Sequence, residues 1–247
     1  MSLFITILIF AIVGISLILI TPLGILAFLL GVCGLRKAMV AMTCVIAQCW
    51  GMFLIKLSRI RLTVKGLEHI PKTGGLCIVS NHGSIFDIVL LLALIGRRVG
   101  FIAKKELALI PFLNIWIFLI GGLFIDRKNV RKSLRTINDG VERIRRGDAM
   151  LIFPEGTRSQ GRGLLPFKSG SFKLASQAGA PIVPVAITGS YDVVEKTRRI
   201  RPADVFVTFA PLVVTSEFPV QDRRKNLSEL VYGIIAGELK EHEKQAR

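Results

Sequence analysis

Several residue patterns that common enzyme classes depend on are scarce or absent in this chain of 247 residues. It has three histidines, and no two of them have the spacing of zinc ligands, so we predict no metal site. The hydrolase motif G-x-S-x-G is also absent, because Gly156-x-x-Ser159-x-Gly161 has a different spacing. These absences argue against a metalloenzyme and against the commonest serine hydrolases.

Cysteine is scarce as well, and the four cysteines form no C-x-x-C pair. Three of them lie in strongly apolar sequence, which predicts buried, unreactive thiols. A disulfide framework and a cysteine zinc site are therefore not expected, and a reducing, cytoplasmic setting fits. The four residues are Cys33, Cys44, Cys49 and Cys77.

Acidic residues are outnumbered, with 17 Asp and Glu against 33 Lys and Arg, a formal net charge of +16 and a pI of about 10.3. Such an excess favours an anionic partner. We predict no nucleic-acid partner, because the mean hydropathy of +0.57 is too apolar for a soluble binder and no nucleic-acid-binding motif is present. A phospholipid membrane surface or a phosphorylated substrate remains.

The first 35 residues contain no charged side chain, and the first acidic residue is Glu68. Leu3 to Leu30 is long enough to cross a bilayer and lacks the basic start of a secretory signal. A second, weaker apolar stretch covers Ala38 to Ile55. We predict that residues 1–58 form a membrane-embedded helical pair and that residues 59–247 form the catalytic domain.

The basic clusters beside the two apolar stretches bear on the topology of this anchor. Two complete spans would separate Arg36-Lys37 from the cluster Lys56 to Lys65, whereas basic residues prefer the cytoplasmic side. A hairpin embedded from one side, or one span with an interfacial helix, is therefore favoured over two spans. The chain is expected at the cytoplasmic membrane, with its active site on the cytoplasmic face.

Beyond residue 60, short β-branched runs alternate with helical patterns, which is typical of an α/β domain. We predict a central, mostly parallel or mixed sheet flanked by helices. The predicted strands are Arg61–Val64, Leu76–Val79, Val99–Ala103, Gly122–Ile125, Ala149–Phe153, Pro181–Ile187 and Asp204–Phe209. The predicted helices are Ser84–Ile95, Lys105–Phe118, Val130–Arg146, Ser169–Ala178 and Asp222–Lys244.

The pair His82 and Asp87 directly follows the predicted strand Leu76–Val79. A histidine exchanges a proton near neutral pH, and a nearby carboxylate orients it. Two residues five apart point away from each other within a helix, so they meet only if His82 lies in the turn and Asp87 in the first helical turn. Ser84 would then be the N-cap of a capping box with Asp87. The alternative is that Asp87 only caps the helix and His82 only bonds to the turn.

Three later segments also place polar side chains next to predicted strands: Gly122 to Arg127, Phe153 to Ser159, and Ile182 to Ile187. Ligands of open α/β sheets bind beyond the carboxyl ends of strands. We therefore expect His82, Arg127 and the segment Glu155 to Arg158 at one edge of the sheet.

These blocks together resemble the glycerolipid acyltransferase family, and more narrowly its bacterial branch that acylates 1-acyl-glycerol-3-phosphate. The resemblance covers about residues 62–187. It is carried by Asn81-His82-x4-Asp87, Gly122-x-Phe124-x-Asp126-Arg127, Phe153-Pro154-Glu155-Gly156-Thr157-Arg158-Ser159 and Val183-Pro184-Val185-Ala186-Ile187, with Phe167-Lys168-x-Gly170 fitting as well.

The resemblance implies transfer of an acyl chain from a thioester to the hydroxyl of lysophosphatidic acid, giving phosphatidic acid in phospholipid biosynthesis. His82 would remove the proton of that hydroxyl, and Asp87 would orient the imidazole. The donor would be acyl-carrier protein or a coenzyme A thioester, with no further cofactor. The expected substrate-binding residues are Lys105, Arg127, Glu155, Gly156, Thr157 and Arg158, supported by Asn81, Gly83 and Ser84.

Alternatives remain open at this point. Arg127 and Arg158 suit a phosphate, and either would also suit a structural ion pair. The oxyanion donors are expected among the backbone amides beside Gly83 or Gly156. The uncharged stretch Leu107 to Leu123 fits a core helix, a wall for the acyl chain or a surface in lipid.

The function itself also has alternatives. The acceptor would otherwise be glycerol-3-phosphate or another lysophospholipid. A membrane lipid hydrolase and a non-enzymatic lipid-binding module are further possibilities, although the second does not explain the ordered polar blocks.

Overall fold

The computed structural model describes residues 3–126 and 128–245. Its helices are α1 (Leu3–Val32), α2 (Arg36–Leu57), α3 (Phe86–Leu94), α4 (Leu113–Leu119), α5 (Val130–Arg145), α6 (Lys173–Ala178), α7 (Ser190–Val193) and α8 (Arg223–Gln245). Its strands are β1 (Arg61–Lys65), β2 (Leu76–Ser80), β3 (Val99–Lys104), β4 (Leu123–Ile125), β5 (Ala149–Ile152), β6 (Ile182–Thr188) and β7 (Asp204–Phe209).

Within the described residues, the seven strands form one sheet in the order β1-β7-β6-β2-β5-β3-β4. All neighbours are parallel except β6 and β7, which pair antiparallel. This mixed, mostly parallel sheet with helices on both faces confirms the predicted fold class. Because β1 and β7 run against the other five strands, the start of β1 lies at the same edge of the sheet as the end of β2.

The central strand β2 shows why these residues form a sheet rather than a helix. All five of its residues are buried, as expected for a parallel strand covered on both faces. Leu76 and Ile78 join the apolar cluster on the α3 face, while Cys77 and Val79 join the cluster under α5, α6 and α8. The alternation along one strand therefore builds two cores, one on each side of the sheet.

The helix predicted over Lys105–Phe118 is wrong as a single element. The chain forms a 3-10 turn at Lys105–Leu109 and resumes as α4 at Leu113. Between them Phe112 has a φ of 64°, and the amide of Leu113 donates to the carbonyl of Pro111 at 2.7 Å. Proline has no N–H and restricts the residue before it, which explains the break. The helix predicted from Ser169 likewise begins with a 3-10 turn, Ser169–Phe172.

Helices α1 and α2 are long and apolar enough to cross a membrane, which is by itself weak evidence for membrane association. α1 exposes large apolar side chains such as Phe4 and Leu19. α2 lies close against α3, since a Cβ atom on Gly51 would come within 2.9 Å of the Cβ atom of Ala93. At the tip of the pair, Arg36 contacts Asp148 at 3.3 Å, so the helices lie along the α/β part of the molecule.

Candidate active site

A polar turn follows β2 at the carboxyl edge of the sheet, and the side chain of Asn81 fixes its start. The Asn81 amide donates to the carbonyl of Ile187 at 2.9 Å and accepts from the amide of the same residue at 2.8 Å. The side chain thereby takes the place of a strand partner and extends the pairing of β2 with β6. Asn81 is buried, so its role here is to hold the base of the turn.

His82 and Asp87 meet as the spacing of the sequence predicts. Asp87 lies in the first turn of α3, and its Oδ2 atom lies 2.8 Å from Nδ1 of His82. The same oxygen accepts from the amides of Gly83 at 2.8 Å and Ser84 at 2.9 Å. An oxygen that receives two N–H groups can only be an acceptor for the imidazole, so Nδ1 carries a proton and Nε2 is left as the basic nitrogen.

The start of α3 differs by two residues from the prediction. The helix begins at Phe86 rather than Ser84, and the N-cap position belongs to Ile85. The Ser84 hydroxyl accepts from the amide of Phe86 at 3.1 Å, and the Asp87 carboxylate reaches back to the amide of Ser84. The carboxylate half of the predicted capping box is therefore present, while the serine serves the neighbouring amide.

The imidazole of His82 is held from the side by an aromatic ring and at its backbone by one loop. Its ring stacks on Phe153 with centroids 3.9 Å apart and planes 17° apart, which leaves 15% of the side chain exposed. The His82 amide donates to Glu155 at 2.6 Å, and its carbonyl accepts from the amide of Ser159 at 2.7 Å. The loop Phe153 to Ser159 thus fixes the position of the base.

Glu155, which belongs to this loop, is buried. Its second oxygen accepts from the amide of Leu165 at 3.2 Å, so the carboxylate joins two backbone segments. Burial raises the pKa of the Glu155 carboxyl, and the two amide donors oppose that rise. In this structure Glu155 therefore holds the backbone of His82 in place.

Gly156 and Thr157 form the middle of the same loop. Gly156 has a φ of +71°, and a Cβ atom there would come within 2.8 Å of Nζ of Lys168. The positive φ favours glycine here, whereas the flexible end of the Lys168 side chain could move away from a Cβ atom. Thr157 is exposed at the rim.

The backbone amides that we expected as oxyanion donors are already engaged. Those of Gly83 and Ser84 donate to Asp87, and that of Gly156 donates to the carbonyl of Phe153 at 3.0 Å. An oxyanion donor beside Gly83 or Gly156 stays a prediction, which these three hydrogen bonds restrict to the remaining neighbouring amides.

The cations that we predicted to bind the phosphate have different partners in the structure. Lys105 pairs with Asp126 at 2.9 Å, and this hydrogen bond raises the pKa of Lys105. Arg158 pairs with Glu195 at 3.2 Å. Arg127 lies outside the described residues. The structure thus brings Lys105 to a carboxylate at the end of β4 and Arg158 to a carboxylate beside the polar turn that carries His82.

Glu195 is the site residue that sequence reasoning missed. It follows α7, and its Oε2 atom accepts from the Ser84 hydroxyl at 2.6 Å while Oε1 accepts from the amide of Ile85 at 2.8 Å. It belongs to none of the motif blocks, and no local pattern predicts a contact over 110 residues. Only the fold brings this carboxylate to the turn.

An apolar cavity of about 390 Å³ lies between α1, α4 and β4. It approaches the polar edge of the sheet through Phe124, two residues before Asp126. The cavity can hold an apolar chain. Separately, the described residues contain no group of three or more His, Cys, Asp or Glu side chains that could hold a metal. The lining residues are Gly24, Ile25, Phe28, Ala108, Asn114, Ile115, Phe118, Leu119 and Phe124.

The family model and the known proteins described below are all acyltransferases. A family model described as Acyltransferase matches residues 61–188. The chain is 37% identical to the 1-acyl-sn-glycerol-3-phosphate acyltransferase of Haemophilus influenzae, over 49% of this chain and 50% of that protein. It is 33% identical to the protein of the same name from Escherichia coli, over 70% of each chain.

Among solved structures, the crystal structure of the 1-acyl-sn-glycerophosphate (LPA) acyltransferase of Thermotoga maritima matches with a TM-score of 0.85 and 26% identity. That match covers 98% of this chain and 95% of the other. The sequence matches are shorter, since the chain spans 50% to 59% of the length of several curated relatives. The polar turn and its supporting loop lie inside the segment that the family model matches.

Proposed function

Because the chain belongs to the acyltransferase family, we propose that it transfers an acyl chain from a thioester to the sn-2 hydroxyl of 1-acyl-glycerol-3-phosphate and so forms phosphatidic acid. The observation that carries this proposal is the contact of 2.8 Å between His82 and Asp87. That contact leaves Nε2 of His82 as a base at the end of a strand, which is what activation of a hydroxyl requires.

In the proposed reaction, Nε2 of His82 takes the hydroxyl proton as the oxygen attacks the thioester carbonyl. The Asp87 carboxylate stabilises the resulting imidazolium. When the tetrahedral intermediate collapses, the carbon–sulfur bond breaks, and the imidazolium returns the proton to the departing thiolate. The acyl group passes directly to the acceptor, because the substrate hydroxyl takes the place that serine has in a catalytic triad.

The acceptor's phosphate needs cations beside this base. Arg158 shares a carboxylate with the catalytic turn, and a guanidinium binds a phosphate through two parallel hydrogen bonds. Lys105 directly follows β3, which is separated from β2 by the single strand β5, and Arg127 follows Asp126 in the sequence. We assign the phosphate to these three cations, with Arg158 nearest to the base in its contacts.

The apolar cavity suits an acyl chain of either substrate. Its aromatic lining includes Phe28 and Phe118, whose ring centroids lie 6.5 Å apart. Since Phe28 belongs to α1, the N-terminal helix forms part of the cavity wall. An anchor that also lines the cavity would allow a lipid substrate to enter without crossing water.

Membrane attachment from one side is supported by the tip of the helical pair. If α1 and α2 both crossed the bilayer, Arg36 would lie on the opposite side from Asp148, with which it pairs. The basic residues around the anchor then face anionic headgroups, and the active site lies on the cytoplasmic face. The donor is acyl-carrier protein or a coenzyme A thioester, since both are anionic and the chain is strongly basic.

The test is to supply the purified protein in detergent with lysophosphatidic acid and an acyl thioester. Wild type should form phosphatidic acid, and His82→Ala should form almost none. His69→Ala is the matched control, because His69 binds the carbonyl of Phe209 away from the site, and it should remain active.

Other products would identify the alternatives. Product formed with glycerol-3-phosphate but not with lysophosphatidic acid would identify glycerol-3-phosphate as the acceptor. Release of free fatty acid without an acyl acceptor would indicate a hydrolase. Undiminished product from His82→Ala would overturn the mechanism.

A further inference from the structure

We propose that Glu195 is a positioning residue that holds the guanidinium of Arg158 at the acceptor's phosphate and fixes it to the catalytic turn. The inference rests on the proposed function, and it adds to it a residue that lies outside the motif blocks and outside the segment that the family model matches. Glu195 contacts no substrate atom in this proposal, and it acts through Arg158.

The contacts of Glu195 divide between two functional segments. Oε2 accepts from the Ser84 hydroxyl at 2.6 Å, and Oε1 accepts from the amide of Ile85 at 2.8 Å. Oε1 also pairs with Nη1 of Arg158 at 3.2 Å. One carboxylate therefore joins the turn that carries His82 to the cation that is assigned to the phosphate.

The side chains differ in exposure in a way that suits this role. Glu195 is 14% exposed, whereas Arg158 is 41% exposed. An arginine this open would sample many rotamers and would lose that freedom on binding a ligand. The better buried carboxylate, held by two donors from the turn, restricts the arginine before the substrate arrives.

The ion pair also leaves Arg158 able to bind. Among the hydrogen bonds of the described residues, the side chain of Arg158 uses Nη1 alone, and a guanidinium has five N–H donors. The remaining donors can still grip a phosphate from two directions. The ion pair with Glu195 thus positions the guanidinium and leaves most of its N–H donors for a phosphate.

The chemistry of the acceptor explains why such a link is useful. The hydroxyl that reacts and the phosphate lie on adjacent carbons of glycerol, so the phosphate-binding cation and Nε2 of His82 must keep a fixed, short separation. A displacement of about 1 Å in such a site costs on the order of 100-fold in rate. Anchoring Arg158 to Ser84 and Ile85, two and three residues after His82, keeps that separation constant.

The simpler alternative is that Glu195 only stabilises the start of α3. It does accept from Ile85 and Ser84, which precede the helix. A double-mutant cycle separates the two roles, because coupling between neighbouring residues appears as non-additive effects. The variants are Glu195→Ala, Arg158→Ala and the double variant, assayed for KM and kcat with lysophosphatidic acid and with the acyl thioester.

If Glu195 positions Arg158, Glu195→Ala should raise the KM for lysophosphatidic acid about tenfold and leave the KM for the thioester unchanged. In the Arg158→Ala background the same substitution should have little further effect on that KM. Glu195→Gln keeps an acceptor oxygen for Ile85 and Arg158 and should recover part of the loss. Lys196→Ala is the control, since Lys196 pairs with Asp192 on the surface, and its kinetics should match wild type.

Additive effects of the two substitutions, or equal changes in the KM of both substrates, would overturn the positioning role and leave Glu195 as a helix stabiliser. KM reports only on active molecules, so partial misfolding of Glu195→Ala does not obscure the result, and Glu195→Gln gives a second reading. Failure of wild type to acylate lysophosphatidic acid would overturn the proposed function as well, and so the two failures are distinguishable.

Discussion

Nδ1 of His82 lies 2.8 Å from Oδ2 of Asp87, and the same oxygen accepts from the amides of Gly83 and Ser84. Asp87 is fully buried, and its other oxygen, Oδ1, has no hydrogen-bond partner within residues 3–126 and 128–245. One oxygen thus orients the base and the turn, while the charge of the whole group faces the imidazole in a site shielded from water. A substitution at Asp87 can remove the charge of the carboxylate and keep its hydrogen-bonding geometry.

Asp87→Asn should keep most of the geometry and remove the charge. The amide oxygen can replace Oδ2, and the NH2 group would take the unpartnered place of Oδ1. We expect kcat to fall by about a thousandfold, because the imidazolium formed during proton transfer loses its counter-ion. The KM for lysophosphatidic acid should change little. Steady-state kinetics check this, and a kcat near wild type would show that the charge of Asp87 is not used.

Local sequence predicts the contact between His82 and Asp87 because its geometry is local. Five positions separate His82 from Asp87, and the only arrangement that lets them meet is a turn followed by a helix. The strands were predictable for a related reason, since short buried apolar runs such as Leu76–Val79 have few alternatives in a parallel sheet. The break at Phe112 was harder to predict, because Pro111 allows both a kinked helix and a new start.

Long-range partners are the part that sequence could not supply. The cationic character of Arg158 was evident, but its pairing with Glu195 depends on α7 packing beside the turn that carries His82. The same holds for Phe153, whose stacking on His82 requires β5 to lie next to β2. Contacts across tens of residues depend on the register of the strands, which no single segment encodes.

Glu155→Gln should weaken the support beneath His82. Both carboxylate oxygens of Glu155 accept from backbone amides, and a glutamine would turn its NH2 group toward one of those donors. We expect the free energy of unfolding to fall by about 1–3 kcal/mol and kcat to fall with it. Glu217→Gln is the control, since Glu217 is exposed. Unchanged urea unfolding and kcat in Glu155→Gln would contradict the supporting role.

Filling the apolar cavity should change the preferred acyl chain length. Ala108 lines the cavity, and Ala108→Phe would occupy part of its volume of about 390 Å³. The variant should favour shorter chains, measured as kcat/KM across a series of saturated thioesters and lysophosphatidic acids. Leu109→Phe is the control, because Leu109 is 83% exposed. The same chain-length profile in both variants would remove the cavity from the binding site.

The buried His242 should make the free energy of unfolding depend on pH. It is buried on α8 between two hydroxyls, with Nδ1 2.9 Å from Thr188 and Nε2 2.7 Å from Thr208. Burial lowers the pKa of His242, and the charge of nearby Lys65 lowers it further. The unfolded chain therefore binds a proton at a higher pH than the folded protein does.

The sign follows from linkage, since each unit by which a pKa differs between the two states changes the free energy of unfolding by about 1.4 kcal/mol. Stability should be unaffected by His242 above its unfolded pKa of about 6.5 and should fall as the pH drops from there toward the folded pKa. Urea unfolding of wild type should thus shift to lower midpoints between pH 7 and pH 5. His242→Gln, which keeps a donor and an acceptor but cannot be protonated, should show a smaller shift over the same range. Equal pH dependence in both proteins would mean that other groups, and not this buried imidazole, control the loss.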